Sequence, residues 1–411
     1  MRYTLMENRP SEALPLTEAD LRYLQDFKFA RDLLIVPSRI EKTYQVTADN
    51  IVGVISLPSG TQINIRPKIG LPNLFRLLSF VSDWCFCLDE MADYEEEEGI
   101  FDLLGQLYSR ELTTLIKNGL KQDYDSSEGN MTTIRGRILF GTHLKHNLTQ
   151  TGKAYCLFSE RSSNTVENQI LLAATQALLR GQVCNVNTQK ALRACLKNIP
   201  AQVDIAGFSS HKLTTIQIGR HNQCYRRPLF LATLILRSIG FINEFGPSRQ
   251  PSFLINSAKL FEDYVALALE KYYLDPVLEV IAQEISPFDT DGTLNIKPDL
   301  VFRQKGVGYV VSVADTKYKD LDLRNVNSAD AYQMLAYMVN LNCQVSVLIY
   351  PESIFRSAGQ KETVTIPSVR GDYQIYVITV PLADPKDTAA AIKKTIQAIQ
   401  GKFPNQLEDV S

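Results

Sequence analysis

Apolar positions change period several times along the chain. Residues 17–29, TEADLRYLQDFKF, follow the 3.6-residue spacing of a short amphipathic helix, with Thr17 placed as its N-cap. Residues 31–69 then give short β-branched runs, LLIV, YQVT, IVGVISL and TQINIRP, with Pro58-Ser59-Gly60 as a hairpin turn. Helical spacing returns over 71–86 and over 100–120, where Gly119 marks the stop. A polar loop over 123–130 precedes a predicted strand over 132–140, TTIRGRILF, which carries Arg135 and Arg137 on one face around Gly136. Further helices are predicted over 164–180, over 188–196, and from near Arg227 to Gly240.

The last third is more regular. Asn256 and Ser257 cap a helix through Tyr273, then come a strand VLEVIAQEI and the stretch IKPDLVFRQKGVGYVVSVADTKYK. Two apolar runs around Gln304-Lys305-Gly306 make this stretch an antiparallel hairpin. Asp299 and Asp315 lie at similar distances from Gly306, so the hairpin brings both carboxylates to one end. Asp315 and Lys317 share a strand face. A helix capped by Ser328 follows, then the strands VSVLIY and YQIYVITV and a terminal helix over 384–400, with a frayed tail after Phe403. The order helix, three strands, helix, strand is an α/β unit in which a crossover packs a helix on a mixed sheet.

At 411 residues the chain is too long for one core. Four consecutive glutamates, Glu95–Glu98, mark a solvated linker. The expected fold class is multi-domain α/β: a β-rich N-terminal domain over 1–90, a mostly helical middle region with a short β-insert over 91–250, and an α/β core over 251–411. With 45% hydrophobic and 21% charged residues, the composition is that of a globular protein rather than a disordered one. Net charge is −2, so any nucleic-acid surface is a local patch or groove. The beginning of the sequence lacks the charged-then-apolar layout of a secretory signal, and the most apolar segment, 228–241, is too short for a membrane span and contains Arg237. Seven scattered cysteines agree with a cytoplasmic protein holding reduced thiols. No GxxxxGK[ST] occurs, so this chain lacks the usual phosphate-cradling loop.

Two carboxylates and a lysine at the end of a sheet suit a divalent cation and the phosphate it holds. Asp299 and Asp315 are hard oxygen donors of the kind Mg2+ takes, and Lys317 can position water and neutralise phosphate charge. Glu262 lies beside the apolar stripe Phe261, Val265, Leu269 of the preceding helix, placed to lean over the sheet end as a further metal ligand. Gln333 and Tyr337 share one helix face, from which they can bind phosphate or orient Lys317. Lesser candidates are Arg66 and Lys68 as partner contacts, Arg135 and Arg137, or Arg226 and Arg227 beside Tyr225, as phosphate contacts, and His143, His146, Cys85 and Cys87 as zinc ligands.

Pro298-Asp299 with Asp315-Thr316-Lys317 resembles the PD-(D/E)xK nuclease signature, and Gln333-Met-Leu-Ala-Tyr337 looks like the QxxxY motif of one branch of that superfamily. More widely, IVGVISLPSG, INIRPKIG, TTIRGRI, LFEDYV, IKPDLVF, ADTKYK and DAYQMLAY resemble McrC, the nuclease subunit of McrBC-type modification-dependent restriction systems, from about Val46 to Tyr350. That resemblance implies a Mg2+-dependent endonuclease with Asp299, Asp315 and Glu262 on the metal and Lys317, Gln333 and Tyr337 beside it. It also implies an N-terminal domain that docks on an McrB-like AAA+ GTPase ring, with GTP or ATP bound by that partner, and double-stranded DNA carrying modified cytosine as substrate. Two rivals differ in class: a regulatory activator of the AAA+ partner with a vestigial nuclease site, and a stand-alone PD-(D/E)xK repair nuclease.

Overall fold

The structure is a computed structural model that describes residues 2–26, 30–81, 100–148, 152–181, 184–204, 219–243, 253–319, 327–352, 361–369 and 371–400. The acidic run Glu95–Glu98, the Cys85 and Cys87 pair and the tail after Phe403 lie outside them. The architecture is mixed α/β with several separate sheets. Two compact units form, Met1–Glu96 joined by Leu254–Ser411, and Glu97–Phe253. The two regions expected at either end of the chain are therefore one body, into which the middle region is inserted.

In the first unit a four-stranded sheet runs in the order Arg2–Met6, Gln62–Arg66, Ile51–Ser56, Phe253–Asn256. Ile51–Ser56 and Gln62–Arg66 form the hairpin expected at Pro58-Ser59-Gly60, with Gly60 at φ 83° in the turn. Arg2–Met6 adds in parallel, Arg2 opposite Gln62 and Met6 opposite Arg66. Leu33–Pro37 and Thr43–Ala48 pair in a smaller sheet with Leu14–Pro15. The helix Glu18–Gln25 starts as predicted, Thr17 and Asp20 closing a reciprocal capping box. Leu24, Val46, Ile51, Ile55, Leu57 and Ile63 form the fully buried centre between these elements. The fourth strand, Phe253–Asn256, runs straight into the helix Ser257–Tyr272, with Asn256 as the N-cap bonding the Lys259 amide. One continuous stretch thus belongs to the N-terminal sheet and to the C-terminal core.

That core is a six-stranded mixed sheet in the order Leu278–Ala282, Leu300–Gln304, Val310–Thr316, Val345–Pro351, Tyr373–Val380, Lys361–Ile366. Val310–Thr316, Val345–Pro351 and Tyr373–Val380 are mutually parallel, and the crossover between the first two carries the helix Ser328–Asn340. Its N-cap is Asn327 rather than Ser328. Met334, Tyr337 and Met338 of that helix pack on Val301, Val313, Leu348 and Ile375. The alternate positions Leu300, Phe302, Ala314, Val347 and Ile349 are also buried. Helices Ser257–Tyr272 and Pro385–Gln400 cover that other side, with the Tyr273 ring edge-on to Phe302 at 5.7 Å. Both faces are apolar because both are covered, hence the near-continuous runs VVSVA and VSVLIY.

The second unit packs the helices Ile100–Asn118, Val166–Gly181, Val186–Asn198 and Arg226–Asn243 beside a three-stranded sheet. Two expectations fail in that sheet. The supposed loop at 123–130 is a nine-residue strand, Asp123–Met131, paired antiparallel along its length with Ala154–Ser162. Its polar side chains are largely exposed, so it carries no apolar period to detect. The supposed strand over 132–140 shrinks to Arg137–Ile138, because Gly136 turns the chain at φ 64° with a Cβ position only 2.3 Å from the Leu157 carbonyl oxygen. Arg135 and Arg137 therefore do not share a strand face. Among the described residues no helix is long and apolar enough to cross a membrane.

Candidate functional site

The hairpin 300–316 registers Leu300 against Ala314 and Val301 against Val313. Asp299 directly precedes that ladder and Asp315 directly follows it, so the two carboxylates end up side by side. Gly306 and Gly308, at φ 82° and 76°, make the turn at the opposite end. Asp315 is 3% exposed at the end of the central strand. The Thr316 amide and hydroxyl donate to Asp299 Oδ2 at 2.7 and 2.6 Å. Burial and the neighbouring Asp299 charge push the Asp315 carboxyl up to about 6, against the pull of Lys317.

Lys317 is the hub. Its ammonium is 2.5 Å from Asp315 Oδ2 and donates to Gln333 Oε1 at 2.7 Å. Gln333 Nε2 donates to the Tyr337 hydroxyl at 2.7 Å, and that hydroxyl donates onward to the Lys297 carbonyl at 3.4 Å. Of the two roles considered for the Gln333/Tyr337 pair, the geometry supports orientation of Lys317. Burial pushes the Tyr337 phenol up, so it stays a neutral hydrogen-bonding group.

Glu262 is placed differently. It pairs with Lys259 at 3.0 Å and receives the Gln283 side-chain amide. Gln283, at φ 53°, also donates its main-chain N–H to the Asp299 carbonyl at 2.8 Å and accepts from Lys297 Nζ at 2.9 Å. Glu262 is thus linked to the hairpin end through Gln283. Among the described residues no three His, Cys, Asp or Glu side chains form a metal-holding group, so Glu262 does not complete a trio with Asp299 and Asp315.

One further carboxylate joins these residues without a motif to mark it. Asp330, 6% exposed in the first turn of the helix Ser328–Asn340, lies 3.9 Å from Lys317 and pairs with Lys319. It stands three residues before Gln333, on the same helix face, which is the spacing that could have found it. Gln283 offered no such signal, since its position follows from a left-handed backbone turn.

Residues 46–351 match the family described as McrBC 5-methylcytosine restriction system component. The chain belongs to the McrBC family. The match spans Glu262, Asp299, Asp315, Lys317, Gln333 and Tyr337. A curated McrBC relative, the type IV methyl-directed restriction enzyme EcoKMcrBC of Escherichia coli K12, is 20% identical over 322 residues, 70% of this chain and 87% of the relative. Among solved structures, a chain of the refined half-complex from the tetradecameric assembly of Thermococcus gammatolerans McrB AAA+ hexamers with bound McrC superposes with a TM-score of 0.71. It is 17% identical, with 97% of this chain and 100% of that one covered. A chain of the cryo-EM structure of the Thermococcus gammatolerans McrBC complex gives 0.50 at 17% identity, over 67% of this chain and 89% of the other. At such identity these likenesses establish a McrBC fold across the chain.

The lesser candidates fare unevenly. Lys68 is not a surface residue: it is 1% exposed, and its ammonium donates to the Tyr318 carbonyl at 2.7 Å. Arg66 is half-buried, with its Nε out of solvent contact. Tyr225 is a buried residue that accepts from the Lys121 amide and donates to Asn168, and Arg227 pairs with Glu111 at 3.1 Å. His143 Nδ1 bonds Asn147 and the Tyr155 amide, and His146 stacks on the Tyr155 ring at 5.2 Å. These two histidines serve the packing of a short helix, Phe140–Asn147, on its strand. Cys85 and Cys87 lie outside the described residues.

Proposed function

We propose that this chain is the DNA endonuclease subunit, McrC, of a McrBC-type modification-dependent restriction system, with a PD-(D/E)xK nuclease centre at the end of the 300–316 hairpin. The observation that carries this reading is the abutting pair Asp299 and Asp315 with Lys317 held between Asp315 and the Gln333–Tyr337 relay. A divalent cation fits these residues. Two carboxylates crowd the sheet end, and the raised Asp315 reflects a buried negative charge that a hard cation relieves. Asp299 and Asp315 would hold it, while Glu262 reaches that end only through Gln283. Mg2+ bound there supplies charge neutralisation on the phosphodiester and an acidified water.

The chain's own residues do the rest. Lys317 neutralises developing phosphate charge and orients the attacking water, and its lifetime in one rotamer depends on Gln333 and Tyr337. Thr316 fixes the rotamer of Asp299. Asp330 balances Lys317 and Lys319, so the site does not accumulate excess positive charge.

The partner is an McrB-like AAA+ GTPase ring, whose nucleotide hydrolysis the N-terminal region stimulates, and the substrate is double-stranded DNA carrying modified cytosine. The absence of a P-loop sequence in this chain supports borrowing the motor. One centre cuts one strand, so a double-strand break requires two copies meeting on DNA. The work is cytoplasmic.

With the partner, nucleotide, Mg2+ and methylated DNA, Asp299→Ala and Lys317→Ala lower cleavage by about a thousandfold or more while leaving partner hydrolysis intact. Wild-type cleavage by Asp299→Ala would sink the catalytic assignment. Stimulation of hydrolysis by a wild-type chain that never cuts would favour the regulatory reading, and cutting without partner or nucleotide would favour the stand-alone nuclease.

A further inference from the structure

A buried cluster of charged and polar groups ties the N-terminal sheet to both segments that carry candidate nuclease residues. Lys68 follows the strand Gln62–Arg66 and is 1% exposed; Glu7 follows Arg2–Met6 and is also 1% exposed. The Lys68 amide donates to Glu7 at 3.3 Å, and Glu7 accepts the hydroxyl of Ser257, the first residue of the helix bearing Glu262. The Ser257 amide donates to the Asn50 carbonyl at 3.0 Å. Lys68 Nζ donates at 2.7 Å to the carbonyl of Tyr318, the residue after Lys317, and lies 4.2 Å from the centre of its ring. The same ring lies 6.0 Å from Phe261, next to Glu262.

The position of that bond matters. The sheet ladder to Val345–Pro351 ends at Thr316 opposite Ile349, and the Lys317 amide makes the last bond, 2.8 Å to the Ile349 carbonyl. One residue further on, Lys68 anchors the Tyr318 carbonyl. The Lys317 backbone is therefore held from one side by the C-terminal sheet and from the other by the N-terminal one. Removing an ammonium from water is expensive, and a surface lysine in the same loop would spare that cost.

We propose that Lys68 is a positioning residue for the nuclease centre, through which the N-terminal domain sets the placement of Lys317. This rests on the nuclease reading above and adds a route by which docking at that domain reaches the cut.

The test uses the full chain with its AAA+ partner. Lys68→Met keeps the stem and removes the ammonium. The expected result is a fall in kcat for Mg2+-dependent cleavage of about ten- to a hundredfold, with KM for DNA and nucleotide hydrolysis unchanged. Lys68→Arg recovers part of the loss. Amide hydrogen exchange at Lys317 and Tyr318 speeds up at least about tenfold, while Val301 and Phe302 keep wild-type protection. Wild-type kcat with unchanged exchange overturns the proposal, and so does equal acceleration across the whole sheet, which marks a general loss of stability. If Lys68→Met does not fold, Glu7→Gln/Lys68→Met removes both buried charges together and is judged by the same readings. A wild-type chain that never cuts defeats the nuclease reading alone, because exchange at Lys317 still decides whether Lys68 holds it.

Discussion

Two antiparallel strand pairs in this protein carry opposite charges near one another, with different consequences. In the pair Leu300–Gln304 and Val310–Thr316, two carboxylates and a lysine meet at one end, where Asp315 and Lys317 have side-chain exposures of 5% and 17%. In the pair Asp123–Met131 and Ala154–Ser162 the charges lie along open faces, and Glu160 meets Arg135 of the following connection at 3.6 Å with exposures of 53% and 61%. Both are acid–base contacts on a twisted ribbon. Only the first lies under two layers of helix, and there burial pushes the Asp315 carboxyl up to about 6. Removal of water, rather than residue type, sets the electrostatics of the first arrangement apart. Three measurements can sharpen that contrast or break it.

The largest expected effect follows from the relay behind Lys317. Gln333→Ala removes the acceptor at 2.7 Å and should lower single-turnover cleavage by about ten- to a hundredfold, with DNA affinity unchanged. Tyr337→Phe acts one bond further back and should cost less. If Gln333→Ala cut as fast as wild type, burial around Lys317 would be packing without chemical consequence, and the contrast between the two ribbons would fail.

The contrast also explains what could be seen in advance. The hairpin, its Asp299–Asp315 register and the shared face of Gln333 and Tyr337 were legible because buried strands and a covered helix leave strong apolar periods. The exposed ribbon leaves none, so Asp123–Met131 reads as a loop in the sequence, and Gly136 reads as part of a strand although its backbone is left-handed. Lys68 departs from its sequence reading for another reason. A lysine after a β-hairpin is ordinarily solvated, and its burial here depends on a Tyr318 carbonyl 250 residues away. Long-range contacts of that kind have no local pattern. The fourth strand, Phe253–Asn256, was missed likewise, since its partners lie in the first sheet.

A middle-sized effect is expected in stability against pH. Burial raises the folded Asp315 carboxyl to about 6 from the ordinary 3.8, so the folded state binds more protons between those values. Its contribution to stability is full below the lower value and is lost as pH rises through the upper one. In divalent-free buffer, Asp315→Asn should therefore gain stability over wild type from pH 4 to pH 7, by on the order of 2 kcal/mol. Denaturant melts at both ends of that window check it. Parallel curves for the two proteins would show that Asp315 carries no such burden.

The smallest effect is the control that gives the others meaning. Arg135 and Glu160 are both more than half exposed and 3.6 Å apart, so solvent screens their attraction and little order is lost by separating them. Arg135→Ala should change the stability of the purified chain by less than about 0.5 kcal/mol, with no dependence on pH between 4 and 7. The same denaturant melts measure it. A loss of several kcal/mol would mean that the open ribbon depends on its charges as the buried one does. The distinction between the two would then rest on something other than water. Should cleavage fall while stability holds, Arg135 would be a contact to DNA phosphate, a role its exposure permits and its weak ion pair does not oppose.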